Sequence, residues 1–192
     1  GYVITGTVEG AADGDTVFLQ EVVGRQLSKL DTAIITKGTF TFEGVQDSAV
    51  NRYITSGKGN EALLIDFFLE NGKINIALTR DNDSATGTAN NDAYQEIRNK
   101  INALNQKATP LYESMRSADI TDEQKEANMK ELEKLEEELG QVYKEGIEKN
   151  ITNPVGIHLF KSNYYNMTTA ENDALLQQIP AQFQNDETIV KI

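Results

Sequence analysis

The side chains in this chain that could perform proton transfer, nucleophilic attack or metal binding are few and scattered. His158 is the only histidine. A catalytic imidazole needs a nucleophile to activate or a carboxylate to orient its ring, and neither stands near it in the helix-like stretch 155–164. A surface or partly packed ring is the expectation, and the count rules out a histidine-rich metal site. Asp81-Asn82-Asp83 followed by Asp92 has the flavour of a calcium loop. Counted from Asp81, however, the ligand and glycine positions of an EF-hand fall on Ala85 and Thr86, and the motif fails. The segment reads as a polar loop from the strands to the first helix, with an irregular site of Asp81, Asp83 and backbone carbonyls as the alternative. Glu131, Glu133, Glu136, Glu137 and Glu138 could supply paired carboxylates for acid–base work. Their interleaving with Lys130 and Lys134 at helical spacing points instead to a solvated face. Gly57-Lys58-Gly59 lacks the spacing and following helix of a phosphate loop and reads as a turn. The sequence therefore assigns no catalytic, cofactor-binding or metal-ligating residue, and no cofactor is expected.

The elements that would position such residues come in two kinds. Short segments rich in β-branched and aromatic residues occupy 2–8, 16–22, 30–35, 39–45, 53–55, 63–70 and 73–79. Asp13-Gly14-Asp15, Lys37-Gly38 and Asn71-Gly72 punctuate them. Asn71-Gly72 between two apolar runs predicts a type I′ hairpin. Ile74, Ile76 and Leu78 alternate with Lys73, Asn75 and Ala77, so one face is buried and the other wet. With no helical period between the strands, an antiparallel sandwich is expected rather than a parallel sheet.

After Gly87 the period changes. Tyr94, Ile97, Ile101, Leu104, Ala108, Leu111 and Met115 trace the apolar seam of a helix, which Pro110 should kink. Thr121 to Gln124 forms a capping box opening a second helix with Met129, Leu132, Leu135, Leu139, Val142 and Tyr143. The two make an antiparallel hairpin. Asn153-Pro154 starts a third helix, and Thr168 to Glu171 caps a fourth, which Pro180 should kink or end.

Composition narrows the classes further. Thirty acids against eighteen bases give a net charge of −12, which repels phosphate backbones and anionic headgroups; no nucleic-acid partner is expected. The absence of cysteine removes disulfides, thiol nucleophiles and thiolate metal sites. No apolar run reaches the ~20 residues of a membrane span. The chain opens on Gly1-Tyr2, directly in a strand-like segment, which leaves room for a removed export or lipoprotein signal.

Several segments, in order, resemble one known domain: Gly6-Thr7-Val8, Asp13-Gly14-Asp15-Thr16-Val17-Phe18-Leu19, Leu30-Asp31-Thr32-Ala33, Gly38-Thr39-Phe40-Thr41-Phe42-Glu43-Gly44, Phe67-Phe68-Leu69-Glu70-Asn71-Gly72-Lys73-Ile74 and Thr86-Gly87-Thr88-Ala89-Asn90-Asn91. The domain is that of unknown function 4369, found at the N-terminus of Bacteroidetes lipoproteins. The resemblance covers the strand region well and the helical region in layout only. It implies a cell-envelope location, in the periplasm or on the outer membrane, with any membrane contact made through a removed lipid anchor. It also implies a thioredoxin-like domain of the AhpC/TSA or thiol-disulfide oxidoreductase type following in many members, with the linker beginning about where Ile192 falls. No activity is established for the family, so no catalytic residue carries over. Asp15-Thr16-Val17, Asp31-Thr32-Ala33, Asp47-Ser48-Ala49 and Asp83-Ser84-Ala85 also fit, by the same resemblance, the short sites at which exported Bacteroidetes proteins are O-glycosylated; turns and strand starts favour the same dipeptides without any glycan.

The expectation is thus an α+β chain: a β-sandwich at 1–88 and a helical region at 89–192, with a hairpin at 89–150 and shorter helices at 154–165 and 169–184. Its expected function is non-enzymatic, as the N-terminal module of a thioredoxin-like lipoprotein that positions that domain in cis or recruits a protein partner. The alternative is a stand-alone ligand- or protein-binding envelope domain. Oligomeric state is left open.

Overall fold

The computed structural model describes residues 1–57 and 61–192. Among these residues eight strands precede five α-helices: β1 (Tyr2–Val8), β2 (Thr16–Val23), β3 (Gln26–Ile34), β4 (Phe40–Gly44), β5 (Val50–Ser56), β6 (Leu63–Leu69), β7 (Gly72–Leu78), β8 (Ser84–Thr86), α1 (Ala89–Met115), α2 (Asp122–Asn150), α3 (Pro154–Asn163), α4 (Thr169–Leu176) and α5 (Glu187–Lys191). The α+β class stands. Two compact units divide the chain, Gly1–Gln95 and Glu96–Ile192, so the opening turns of α1 belong with the strands.

In the first unit two four-stranded sheets, ordered β4-β1-β7-β8 and β3-β2-β5-β6, enclose one core. Ile4, Phe40, Ile74 and Leu78 from one sheet meet Val17, Ile54, Ile65 and Phe67 from the other. Fully burying each such side chain contributes about 1.5–3 kcal/mol. The sandwich is not wholly antiparallel: β7 lies beside β1 in parallel, Ile4 opposite Ile74. The expected Asn71-Gly72 hairpin does not form, because β6 and β7 belong to different sheets. A type I′ turn needs φ > 0 at both central residues. Gly72 takes φ 128, but the only non-glycine with positive φ among the described residues is Lys37. The Asn71 amide instead accepts from the Gln46 N–H at 3.0 Å and donates to its carbonyl at 2.7 Å, tying the crossing to the β4–β5 link. The alternation of Ile74, Ile76 and Leu78 survives, since either sheet turns its inner face to the same core.

The predicted turn at Lys37-Gly38 does form, with φ 54 and 78, and the Asp13 carboxylate accepts both N–H groups at 3.1 and 3.0 Å. Two glycines set the β1–β4 register. Gly6 faces Phe40 and Tyr2 faces Gly44, each ring lying where the glycine lacks a side chain. A Cβ on Gly6 would overlap the Phe40 ring. Strand β8, three residues pairing with β7, lies in the segment expected to be loop; it is too short to show a period in the sequence.

The second unit follows its caps. Thr121 and Gln124 form both halves of a capping box, as do Thr168 and Glu171, and Asn153 accepts from the Val155 and Gly156 N–H groups ahead of Pro154. Pro110 lies inside α1, which continues to Met115. Helices α2 and α3 approach so closely that a Cβ on Gly156 would meet the Asn150 carbonyl. The core here is built from Ile147, Ile151, Val155, Leu159, Phe160 and Leu175. The third and fourth helices are shorter than expected. Helix α3 stops at Asn163 and a 3-10 turn follows at Tyr164–Asn166. Helix α4 stops at Leu176, and the chain resumes after Pro180 as a 3-10 turn, Ala181–Phe183, rather than as a continuation of α4. Proline lacks the N–H that would continue the ladder and crowds the preceding turn. The short α5 lies beyond the elements expected from sequence; Asp186 caps it and meets the Lys161 ammonium at 2.8 Å.

Candidate functional site

Two amides at the start of α1 govern which face of the sandwich is covered. Asn91 is fully buried. Its Oδ1 accepts from the Phe68 N–H, and its Nδ2 donates to the Phe68 carbonyl and to Thr88 Oγ1, each at 2.8 Å. One side chain thereby satisfies an edge residue of β6 as a neighbouring strand would. One helical turn on, Gln95 Oε1 accepts from the Ala85 N–H of β8 at 2.9 Å, and its Nε2 donates to the Asp83 carbonyl at 3.4 Å. The helix start so pins an edge of each sheet. Around this clamp, Tyr94 donates to Asp66 and packs edge-on against Phe68 with ring centroids 5.1 Å apart. Glu70 accepts from Thr88 and Asn90. Gly87, at φ 110, passes so near the Lys73 carbonyl that a side chain would overlap it. Phe68 is therefore buried although it points away from the inter-sheet core.

Away from this clamp the outer face of the β3-β2-β5-β6 sheet is half-exposed over much of β2 and β5, with Gln20 buried, and most exposed along β3 and the end of β2. Paired residues of neighbouring strands project to the same side. Ala33 faces Val17 inward, so the pairs Ile34–Thr16, Thr32–Phe18, Lys29–Gln20 and Leu27–Val22 point outward. Between Asp31 and Lys29 the register shifts and Leu30 is the extra residue of a bulge. Ile34, Val22 and Leu27 expose 57, 51 and 41% of their surface. The Lys29 ammonium lies 4.1 Å from the centre of the Phe18 ring, a cation–π contact. Edge strand β3 is exposed at eight of its nine residues. Large apolar side chains on an edge strand are a surface suited to a protein contact, while the bulge, Lys29 and Asp31 blunt the edge against unselective strand addition.

The residues singled out by sequence do not converge here. His158 is half-buried on α3, and its carbonyl accepts from Ser162 Oγ. The Asp92 carboxylate caps the Gly87 N–H at 2.9 Å, Asp83 offers its carbonyl to Gln95, and Asp81 is exposed. Among the described residues, no group of three or more His, Cys, Asp or Glu side chains could hold a metal ion. Glu131, Glu133, Glu136, Glu137 and Glu138 are all exposed on α2. Gly57 takes φ 86; Lys58 and Gly59 lie outside the described residues. Of the aspartate–hydroxyl sites, Thr32 and Ser48 are exposed, and Thr16 and Ser84 half-buried. At one end of the strands an open cleft of about 940 Å³ holds charges of both signs, Glu9, Asp15, Glu61, Lys29 and Arg80. Two of its acids are already engaged, Glu9 by the Arg80 N–H and Asp15 by the Ala12 N–H, each at 2.9 Å.

The fold and its clamp define a two-sheet domain closed by the first turns of a long helix. Residues 2–94 match the model of a family described as a domain of unknown function, DUF4369. The match runs through Asn91 and Tyr94 and so takes in most of the clamp. No curated protein matches the chain. The clamp is not legible in the sequence, where Asn90-Asn91 figure only in the segment that resembles the known domain and Gln95 belongs to no motif. The one available signal was that amides at positions 91 and 95, one turn apart, follow a glycine at the strand–helix junction.

Proposed function

We propose that this chain is a non-enzymatic module of the cell envelope, and that its sheet unit serves as a docking domain for a thioredoxin-like domain carried in the same polypeptide. The observation that carries the reading is the exposed apolar side chains at the two ends of the outer face of β2 and β3, Val22 with Leu27 at one and Ile34 at the other. The DUF4369 match over residues 2–94 supports it, through the company such domains keep. Chemistry then belongs to the partner domain. This unit contributes apolar area, with Lys29 on the same face setting orientation more than affinity.

The test uses source cells. Antibody against this chain should detect, in the envelope fraction, a band larger than 21.3 kDa by a whole domain. A photo-crosslinking residue at position 27 should join to that extra domain, and the yield should fall with Ile34→Glu. A band of 21.3 kDa confined to the cytosol would overturn the reading. A longer protein whose crosslinks from position 27 never reach its own second domain would overturn the docking role.

A further inference from the structure

We propose that the far half of the α1–α2 hairpin is a docking groove for a cationic amphipathic helix. The groove lies at 104–139, outside the 2–94 family match, and the inference is independent of the role given to the sheet face. Where the hairpin runs between the α1 residues Leu104 and Met115 and the α2 residues Met129 and Leu139, an open groove of about 520 Å³ follows the seam. Two helices alone cannot cover both sides of their shared seam. Leu104, Ala108, Met115, Leu132 and Leu139 are accordingly only half-buried, and Leu135 alone is buried. Tyr112 and Met129 expose 54 and 53% of their surface at the groove. The stretch of α1 from Leu104 to Met115 spans about 16 Å of helix, room for three turns of a third helix with apolar side chains at i, i+3, i+4 and i+7. Met115 and Met129 add unbranched side chains that adapt to an incoming surface.

Charge decides the occupant. The only ionisable carboxylates or bases lining the groove are Glu133 and Glu136, and 119–138 carries nine acids against three lysines. Of the candidate occupants, an acidic helix would be repelled. A second copy laid α2 against α2 would face its own acids. A helix with leucine-like side chains on one face and Lys or Arg along the flanks meets both the apolar floor and the glutamate rim.

The probe is a fluorescein-labelled peptide of Leu and Lys, about three to four turns long, with leucines at helical spacing. Its fluorescence anisotropy is followed against the full chain. Saturable binding is expected, weakening with added salt. The double variant Glu133→Lys/Glu136→Lys should lower affinity about tenfold or more. Both positions are exposed and lysine is a good helix former, so the fold should persist, checked by circular dichroism. Met129→Asp should lower affinity as well, at unchanged helix content. The proposal is overturned if the same leucine pattern flanked by Glu binds equally well, if a scrambled leucine pattern does so, or if the charge reversal leaves affinity unchanged. It is equally overturned if sedimentation shows self-association that Met129→Asp abolishes, which would place a second copy in the groove.

Discussion

Asn91 shows what one buried amide can do. It contributes three hydrogen bonds, two of them to the Phe68 backbone. Replacing it with Leu strands that N–H and C=O away from water, and an unsatisfied buried group costs about 1–3 kcal/mol. Asn91→Leu should therefore lower the urea midpoint by an amount equivalent to about 2–3 kcal/mol and speed hydrogen exchange at the Phe68 amide. Asn90→Ala, which removes only a half-buried bond to Glu70, should cost under about 1 kcal/mol. Gly6 makes the opposite argument, from space. Its Cβ would overlap the Phe40 ring, so Gly6→Ala should destabilise by about 1–3 kcal/mol. Urea unfolding should show that loss shrinking in a Phe40→Leu background, as expected for residues in contact.

Among the elements, α4 adds an ion pair to its packing through Leu175. Glu171 closes the Thr168 capping box and meets the Lys144 ammonium of α2 at 2.6 Å. The hydrogen bond from Lys144, then those from Thr168, pull its carboxyl from 4.5 down to about 2. A depressed folded-state pKa means that the stabilisation is complete above the unfolded value. It drains away as pH falls from about 4.5 towards about 2. Carboxyl NMR titration should place the Glu171 midpoint near 2, and Lys144→Met should raise it towards the ordinary range. Any difference in thermal midpoint between the wild type and Glu171→Gln should vanish at the acid end of that window. The capping boxes behind this arrangement were legible at Thr121–Gln124 and Thr168–Glu171 because they are local, needing only residues three apart. The end of α4 was less so: a proline marks where a helix cannot continue, and the chain here leaves the helix four residues earlier.

For the whole molecule, the junction between sheet and helix matters most. Because Asn91, Tyr94 and Gln95 belong to the sheet unit, the sandwich is complete only with the first turns of α1. A chain ending at residue 100 should unfold cooperatively in urea with a β-type far-UV spectrum. One ending at residue 88 lacks the clamp on both sheet edges and should lose cooperativity or aggregate through the uncovered β6 face. Equal stability of the two fragments would mean that the clamp contributes nothing. With a net charge of −12, the full chain carries a field that favours cationic partners and lowers their affinity with salt.

Read alone, the sequence determined the α+β class, seven of the eight strands among the described residues, the caps of α2, α3 and α4, the apolar seams and the net charge. Each rests on a short-range pattern: period two, period 3.6, or a cap three residues from its partner. Tertiary structure decided the parallel β1–β7 pair, since an Asn-Gly turn specifies a hairpin only when the flanking strands share a sheet. It also decided which polar residues became structural. The amides of Asn91 and Gln95 acquire their roles only once β6 and β8, distant in sequence, present unpaired backbone groups to the same helix face. The open faces are tertiary for the same reason. Val22, Leu27 and Ile34, or Leu104 and Met129, read as core in any pattern of hydrophobic residues, and only the count of surrounding layers shows that nothing in their own unit covers them.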